Sequence, residues 1–209
     1  MNVLITGASR GIGRACAERF ARAGHDVTAV ARTTSALRQL AAEFPERITA
    51  VTADLTTYPD PGGPYDLIVL NAGYYAPGSL LDPARDVFAE SWTLNVMANH
   101  HLARILLPPL IERGHGHLIV IGSTATDDTS PHMTAYAATK KALRGLFEGW
   151  EQELSGTGVA ATLIAPGSTL TSSWDGETPP PRILAASDVA DLVYRAVTEG
   201  LSGRITIKA

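Results

Sequence analysis

The chain has 209 residues, 45% hydrophobic and 18% charged, with 19 Gly, 13 Pro, one Cys and a formal net charge of -4. At roughly 150 residues per domain this is one compact unit, 1–209, able to bury a core. The acidic balance excludes a nucleic-acid binder, which gathers Lys and Arg on one face. The lone Cys16 excludes a disulfide framework or a multi-cysteine zinc site and fits a reducing, cytoplasmic setting. The opening MNVLITGASRG carries no basic and apolar leader pattern, and nowhere do about 18 apolar residues run together, so neither a signal peptide nor a membrane span is expected.

Val3 to Thr6 reads as a short strand that stops at Gly7, and apolar positions at helical spacing follow from Ile12 through Ala15, Phe20 and Ala23 to Gly24. The alternation continues with a strand over Val27 to Ala31, a helix over Thr34 to Phe44, and strands over Ile48 to Val51 and Asp66 to Leu70. Asp82 before Pro83 reads as an N-cap opening a helical stretch that leads to a long helix from Phe88 to Arg113, in which Pro108 and Pro109 should kink or shorten the last turns. A strand (His117 to Gly122), a helix (Ala135 to Leu154), a strand (Val159 to Ala165), a helix capped by Ser187 and Asp188, and a strand from Arg204 to Ile207 complete the order. Near-continuous apolar strands such as Leu67 to Leu70 suit a parallel sheet covered on both faces. The predicted class is α/β: a single-domain, Rossmann-type doubly wound parallel sheet of about seven strands with helices on both faces. The stretch 168–186 lacks periodicity and reads as a loop.

Two segments carry chemistry. Gly7, Gly11 and Gly13 follow a strand and open a helix, where glycines let the backbone approach a pyrophosphate and free N–H groups favour its charge. The same glycines would serve equally in a turn that only packs helix on strand. Tyr136 and Lys140 lie four apart, on one helix face. A phenol titrates at about 10, so a nearby ammonium that favours phenolate brings it toward neutrality; taken alone, such a pair is mostly a solvated helix face.

TGASRGIG at Thr6 to Gly13, NAG at Asn71 to Gly73, Asn95, Ser123, YAATK at Tyr136 to Lys140 and PG at Pro166 and Gly167 occur in the order expected of short-chain dehydrogenases/reductases. The whole chain resembles that family. The resemblance implies that Tyr136 is the general acid or base at the substrate oxygen, with Ser123 hydrogen-bonding that oxygen. It further implies that Lys140 lowers the tyrosine pKa and holds the nicotinamide ribose, while Asn95 anchors a water leading from Lys140 to solvent. It assigns Gly7, Ser9, Arg10, Gly11, Ile12 and Gly13 to the phosphates, and Asp54 and Leu55 to the adenine. Asn71, Ala72 and Gly73 would pass beside the cofactor, and Pro166, Gly167, Thr169 and Thr171 would grip its carboxamide end.

Cofactor preference is argued from charge. The second strand ends Val30-Ala31-Arg32, with no carboxylate for a ribose 2′-hydroxyl, whereas Arg32 and Arg10, helped by Ser9, can clamp a 2′-phosphate. NADP(H) is therefore expected, with NAD(H) second, and the partner is a small carbonyl or alcohol substrate. The resemblance also implies a homodimer or homotetramer through helices 88–113 and 135–154, with Phe147 and Trp150 as buried contacts. The region between Thr171 and Ser187 is shorter than the lid usual in the family, and Trp174, Tyr74 and Tyr75 are candidates for an apolar substrate wall. His100, His101, His115 and His117 lack partners at ligand spacing and read as surface or turn residues; no metal is expected. Cys16 reads as a small buried hydrophobe. The expected activity is an NADPH-dependent carbonyl reductase, reversible to alcohol dehydrogenation; a 3-oxoacyl-thioester reductase and a non-catalytic NADP(H)-binding redox sensor are the alternatives.

Overall fold

The computed structural model describes residues 1–75, 77–79, 81, 86–176 and 178–209. Seven parallel strands form the central sheet in the order β3-β2-β1-β4-β5-β6-β9. They are β1 (Asn2–Thr6), β2 (Asp26–Ala31), β3 (Ile48–Thr52), β4 (Leu67–Leu70), β5 (Gly116–Ile121), β6 (Val159–Pro166) and β9 (Gly203–Ile207). A two-strand pair, β7 (Thr169–Leu170) with β8 (Leu184–Ala185), sits apart from them, inside the stretch the sequence leaves as a loop.

The sheet is buried on both faces, which is why its strands read as apolar runs. Residues alternate between two cores. Val3 and Ile5 join the core beneath α1 (Gly11–Arg22), α2 (Thr34–Glu43) and α6 (Ala186–Thr198), whereas Leu4 and Ile68 join the core beneath α4 (Asn99–Arg113) and α5 (Thr134–Leu154). Chain progress runs outward from β1 to β3 on one side and from β4 to β9 on the other, so a crevice opens above the carboxyl ends of β1 and β4. Register fixes what stands level at that edge: Ile121 of β5 beside Ile164 of β6, and Ile164 beside Ile205 of β9.

Several local expectations need correction. The stretch expected as one helix from Phe88 is α3 (Val87–Trp92), a π-helical segment (Thr93–Ala98) and then α4. The Asp86 side chain caps α3 through the Ala89 N–H at 2.9 Å; the expected cap at Asp82 and Pro83 lies outside the described residues. The wide turn coincides with Asn99, whose Nδ2 reaches back to the carbonyls of Leu94 (3.2 Å) and Asn95 (3.0 Å), a side chain inserted into the helical ladder. α4 continues through Pro108 and Pro109 to Arg113, because both prolines lie on the exposed side, where the carbonyls they leave unbonded can be hydrated.

α6 starts at Ala186 rather than after a Ser187 cap, and Asp188, one turn in, accepts the Ala185 N–H at 2.8 Å. Phe147 and Trp150 are buried against the sheet within this chain's own core and so are not interface contacts. His117 is not a surface residue either: β5 carries it inside, where its Nε2 lies 2.8 Å from the Thr162 hydroxyl and burial lowers its pKa to about 4. Cys16 is fully buried, its thiol pushed up to about 12 by desolvation.

Candidate active site

The glycine turn is shaped by contact with β4. Gly7 takes φ +67, a left-handed conformation open to glycine, and a Cβ there would lie 2.8 Å from Asn71 Nδ2. A Cβ on Gly13 would sit 2.4 Å from the Gly7 carbonyl oxygen, so helix and turn meet at a distance no side chain allows. Thr6 and Asn71 lock this approach. The Thr6 hydroxyl accepts from the backbone N–H groups of Asn71 and Ala72, both at 3.0 Å, and Asn71 Nδ2 donates to the Thr6 carbonyl at 2.8 Å. α1 then begins at Gly11 with no side-chain cap and no acidic residue in its first turn. Its first N–H groups and dipole are left for an anion.

A groove of about 500 Å³ lies over this turn. Gly7, Ser9, Arg10, Gly11 and Ile12 line it at one end, Arg32, Asp54 and Leu55 at the other, and Asn71, Ala72 and Gly73 along its floor. Asp54 keeps its charge: hydrogen bonds from the Thr56 N–H and hydroxyl, together with the Arg32 guanidinium, hold its pKa below the usual carboxylate value. Arg32 follows the end of β2 without an acidic neighbour in sequence, so the groove closes on cations at the position where a 2′-phosphate would need them.

A second cleft of about 520 Å³ shares Ile12, Asn71, Gly73, Tyr75, Thr171 and Ser173 with the groove, and the two form one channel. Ser123, Tyr136 and Lys140 line this cleft with Pro166, Gly167, Thr169 and Thr171. Ser123 follows β5 and caps a single 3₁₀ turn, accepting the Ala125 N–H at 3.1 Å. Its own proton is free to be donated, and it lines the cleft with Tyr136, whose phenolate form it favours. Burial pushes Tyr136 up to about 12, opposed by Ser123, and the Tyr75 ring packs edge-on against it at 5.2 Å.

Lys140 is buried. Its Nζ donates to the Ile121 carbonyl at 2.9 Å and stands 5.9 Å from the Tyr136 ring centroid, and desolvation lowers its pKa to about 8. Desolvation is the largest influence on both groups.

Gly13 and Asn95 stand outside the cleft lining. Asn95 is fully buried in the π segment: its Oδ1 accepts the Tyr74 N–H at 2.6 Å, and its Nδ2 donates to the Tyr74 carbonyl and the Thr139 hydroxyl, each at 3.0 Å. It thereby ties the Asn71–Gly73 turn to α5 directly. Of the three aromatics expected at a substrate wall, Trp174 and Tyr75 line the cleft that holds Ser123 and Tyr136, and Tyr74 lines only the groove over the glycine turn. Sequence reading missed the parts played by Thr6, Thr139 and Asn99. Thr6 and Thr139 lie inside the quoted motifs, a usable signal, whereas nothing local marks Asn99. Among the described residues no group of three His, Cys, Asp or Glu side chains is placed to hold a metal ion, and no helix is long and apolar enough to cross a membrane.

A sequence profile of the short chain dehydrogenase family matches residues 1–180. The NADP-dependent 3-hydroxy acid dehydrogenase of Escherichia coli K12 is 33% identical over 181 residues, covering 80% of this chain and 72% of that protein. Among solved structures, serine dehydrogenase from Escherichia coli aligns over 100% of this chain and 98% of its own with a TM-score of 0.89 and 26% identity. A short-chain dehydrogenase from Sphingobium yanoikuyae in complex with NADPH aligns over 98% and 87% with a TM-score of 0.88 and 30% identity.

Proposed function

Because this chain belongs to the short-chain dehydrogenase/reductase family, we propose that it is an NADP(H)-dependent oxidoreductase that interconverts a ketone or aldehyde and the corresponding alcohol. The observation that carries the reading is the convergence of Ser123, Tyr136 and Lys140 on one cleft at the head of a channel whose other end is the uncapped start of α1. The residues fit a dinucleotide. Gly7 and Gly13 leave backbone room that a Cβ would fill, and Arg10 and Arg32 supply the charge a 2′-phosphate requires. NADPH in the Sphingobium structure and NADP in the name of the Escherichia coli relative support the same choice.

When bound, the nicotinamide supplies or accepts the hydride; the chain positions the carbonyl and manages its proton. Ser123 donates to the substrate oxygen as negative charge develops there. Tyr136, with a pKa near 12, rests as a phenol and so is in the form that protonates this oxygen during reduction. Lys140 sits one turn along α5, with its ammonium held at the Ile121 carbonyl, and serves to hold the ribose and to replace the proton. Asn95 keeps the floor of the channel against α5 through Tyr74 and Thr139.

The test is Tyr136→Phe. Carbonyl-dependent NADPH oxidation should fall by about 10²–10⁴-fold, while NADPH binding, followed by its fluorescence, persists. Wild-type protein that binds NADPH yet turns over no ketone, diketone, quinone or acyl thioester would instead be a sensor.

A further inference from the structure

The substrate half of the channel contains a cation that the proton relay does not use. Lys208 lines the cleft together with Ser123 and Tyr136. The β6–β9 register explains how it gets there. Pro166 pairs with Ile207, so Lys208 emerges one residue beyond the pairing, at the carboxyl edge where the site lies. Its stem runs alongside Gly167, where a Cβ would meet Lys208 Cγ at 3.7 Å. Among the described residues no carboxylate forms an ion pair with Lys208, whereas the neighbouring cation on the same strand, Arg204, is engaged by Asp127 and Thr126. Lys140, the other ammonium of the cleft, is buried and tied to Ile121.

We propose that Lys208 is a specificity-determining residue that receives an anionic group of the substrate, and that the substrates are oxo acids and the corresponding hydroxy acids. The inference rests on the carbonyl-reductase reading above and adds the substrate class. Level pairing of Ile121 with Ile164 and of Ile164 with Ile205 sets a common row from which Ser123 lies two residues on and Lys208 three, two strands apart at the same edge of the sheet. At ~4.8 Å per strand step that is roughly 10 Å between backbones, a gap the flexible four-carbon stem narrows. A carbonyl oxygen on Ser123 and Tyr136 and a carboxylate on Lys208 can therefore belong to one small molecule. Asp128 also lines the cleft, from the loop after the 3₁₀ turn. Its negative charge confines a bound anion to the β9 side.

The experiment compares acetoacetate with acetoacetamide, its neutral isostere, in wild type, Lys208→Met and Lys208→Arg, by two readouts. One is kcat/KM with NADPH. The other, independent of turnover, is binding of 3-hydroxybutyrate and 3-hydroxybutyramide to the NADPH complex, a pairing that has no hydride acceptor, followed by calorimetry. Wild type should favour the acid by about tenfold in both, as expected for a charge-assisted contact at a partly exposed site. Lys208→Met should erase the preference, Lys208→Arg should keep most of it, and raising the salt should shrink it. An acid-to-amide ratio that is near one in wild type, or unchanged in Lys208→Met, overturns the inference. So does weaker NADP(H) binding in Lys208→Met with the ratio intact, since Lys208 would then serve the nucleotide. Turnover of neutral carbonyls without acid preference sinks the inference but leaves the reductase reading standing; acid-selective binding without turnover of any carbonyl does the reverse.

Discussion

His117 shows how a single side chain sets a pH limit. Thr162 donates its hydroxyl proton to the Leu201 carbonyl at 2.6 Å, so His117 Nε2 must be the donor in its 2.8 Å contact with Thr162, which fixes the neutral tautomer. Burial lowers the folded-state pKa from 6.5 to about 4, so as pH falls the unfolded chain takes up the proton first. The stability this contributes is complete above pH 6.5 and is lost as pH drops toward 4, for a total of roughly 3 kcal/mol. Urea midpoints measured at pH 7 and pH 4.5 should show the loss, and His117→Gln should flatten this part of the profile. An unchanged slope in that variant would mean that carboxylates alone govern acid unfolding.

The helix that carries Asn95 depends on one amide. Asn99 is buried and donates to the carbonyls of Ala72, Leu94 and Asn95, so the end of β4, the π segment and α4 share a single donor group. Asn99→Leu keeps the volume but leaves those carbonyls short of a partner; the expected cost is about 1–3 kcal/mol in thermal unfolding. Measured stability equal to wild type would show that the π turn holds without the amide. The strand–helix rhythm, the glycine turn and the Tyr136/Lys140 spacing are readable from the chain because each is a local period or offset. The π insertion is not, since one extra residue in a turn leaves the apolar pattern of 88–113 nearly intact. His117, Phe147 and Trp150 were misassigned for a related reason: which way a side chain faces depends on what packs across the sheet. The β7–β8 pair and the place of Lys208 likewise follow from register between distant segments.

Across the molecule, the channel is assembled from the carboxyl ends of β1, β2, β4, β5, β6 and β9, all members of one sheet. No part of the site can persist once that sheet opens. Loss of activity and loss of far-UV circular dichroism should therefore coincide in a urea titration; activity lost at clearly lower urea would identify the segment 168–186 as a separately opening unit.

The strand pairing that runs from β5 through β6 to β9 acts as a gauge. Side chains above it can rotate, but the lateral offset from Ser123 to the tip of β9 is set by ladder hydrogen bonds, which neither stretch nor slip without flipping a whole strand. Length measured along the sheet is therefore tightly rationed. Ligands for this protein should accordingly be sorted by reach before girth.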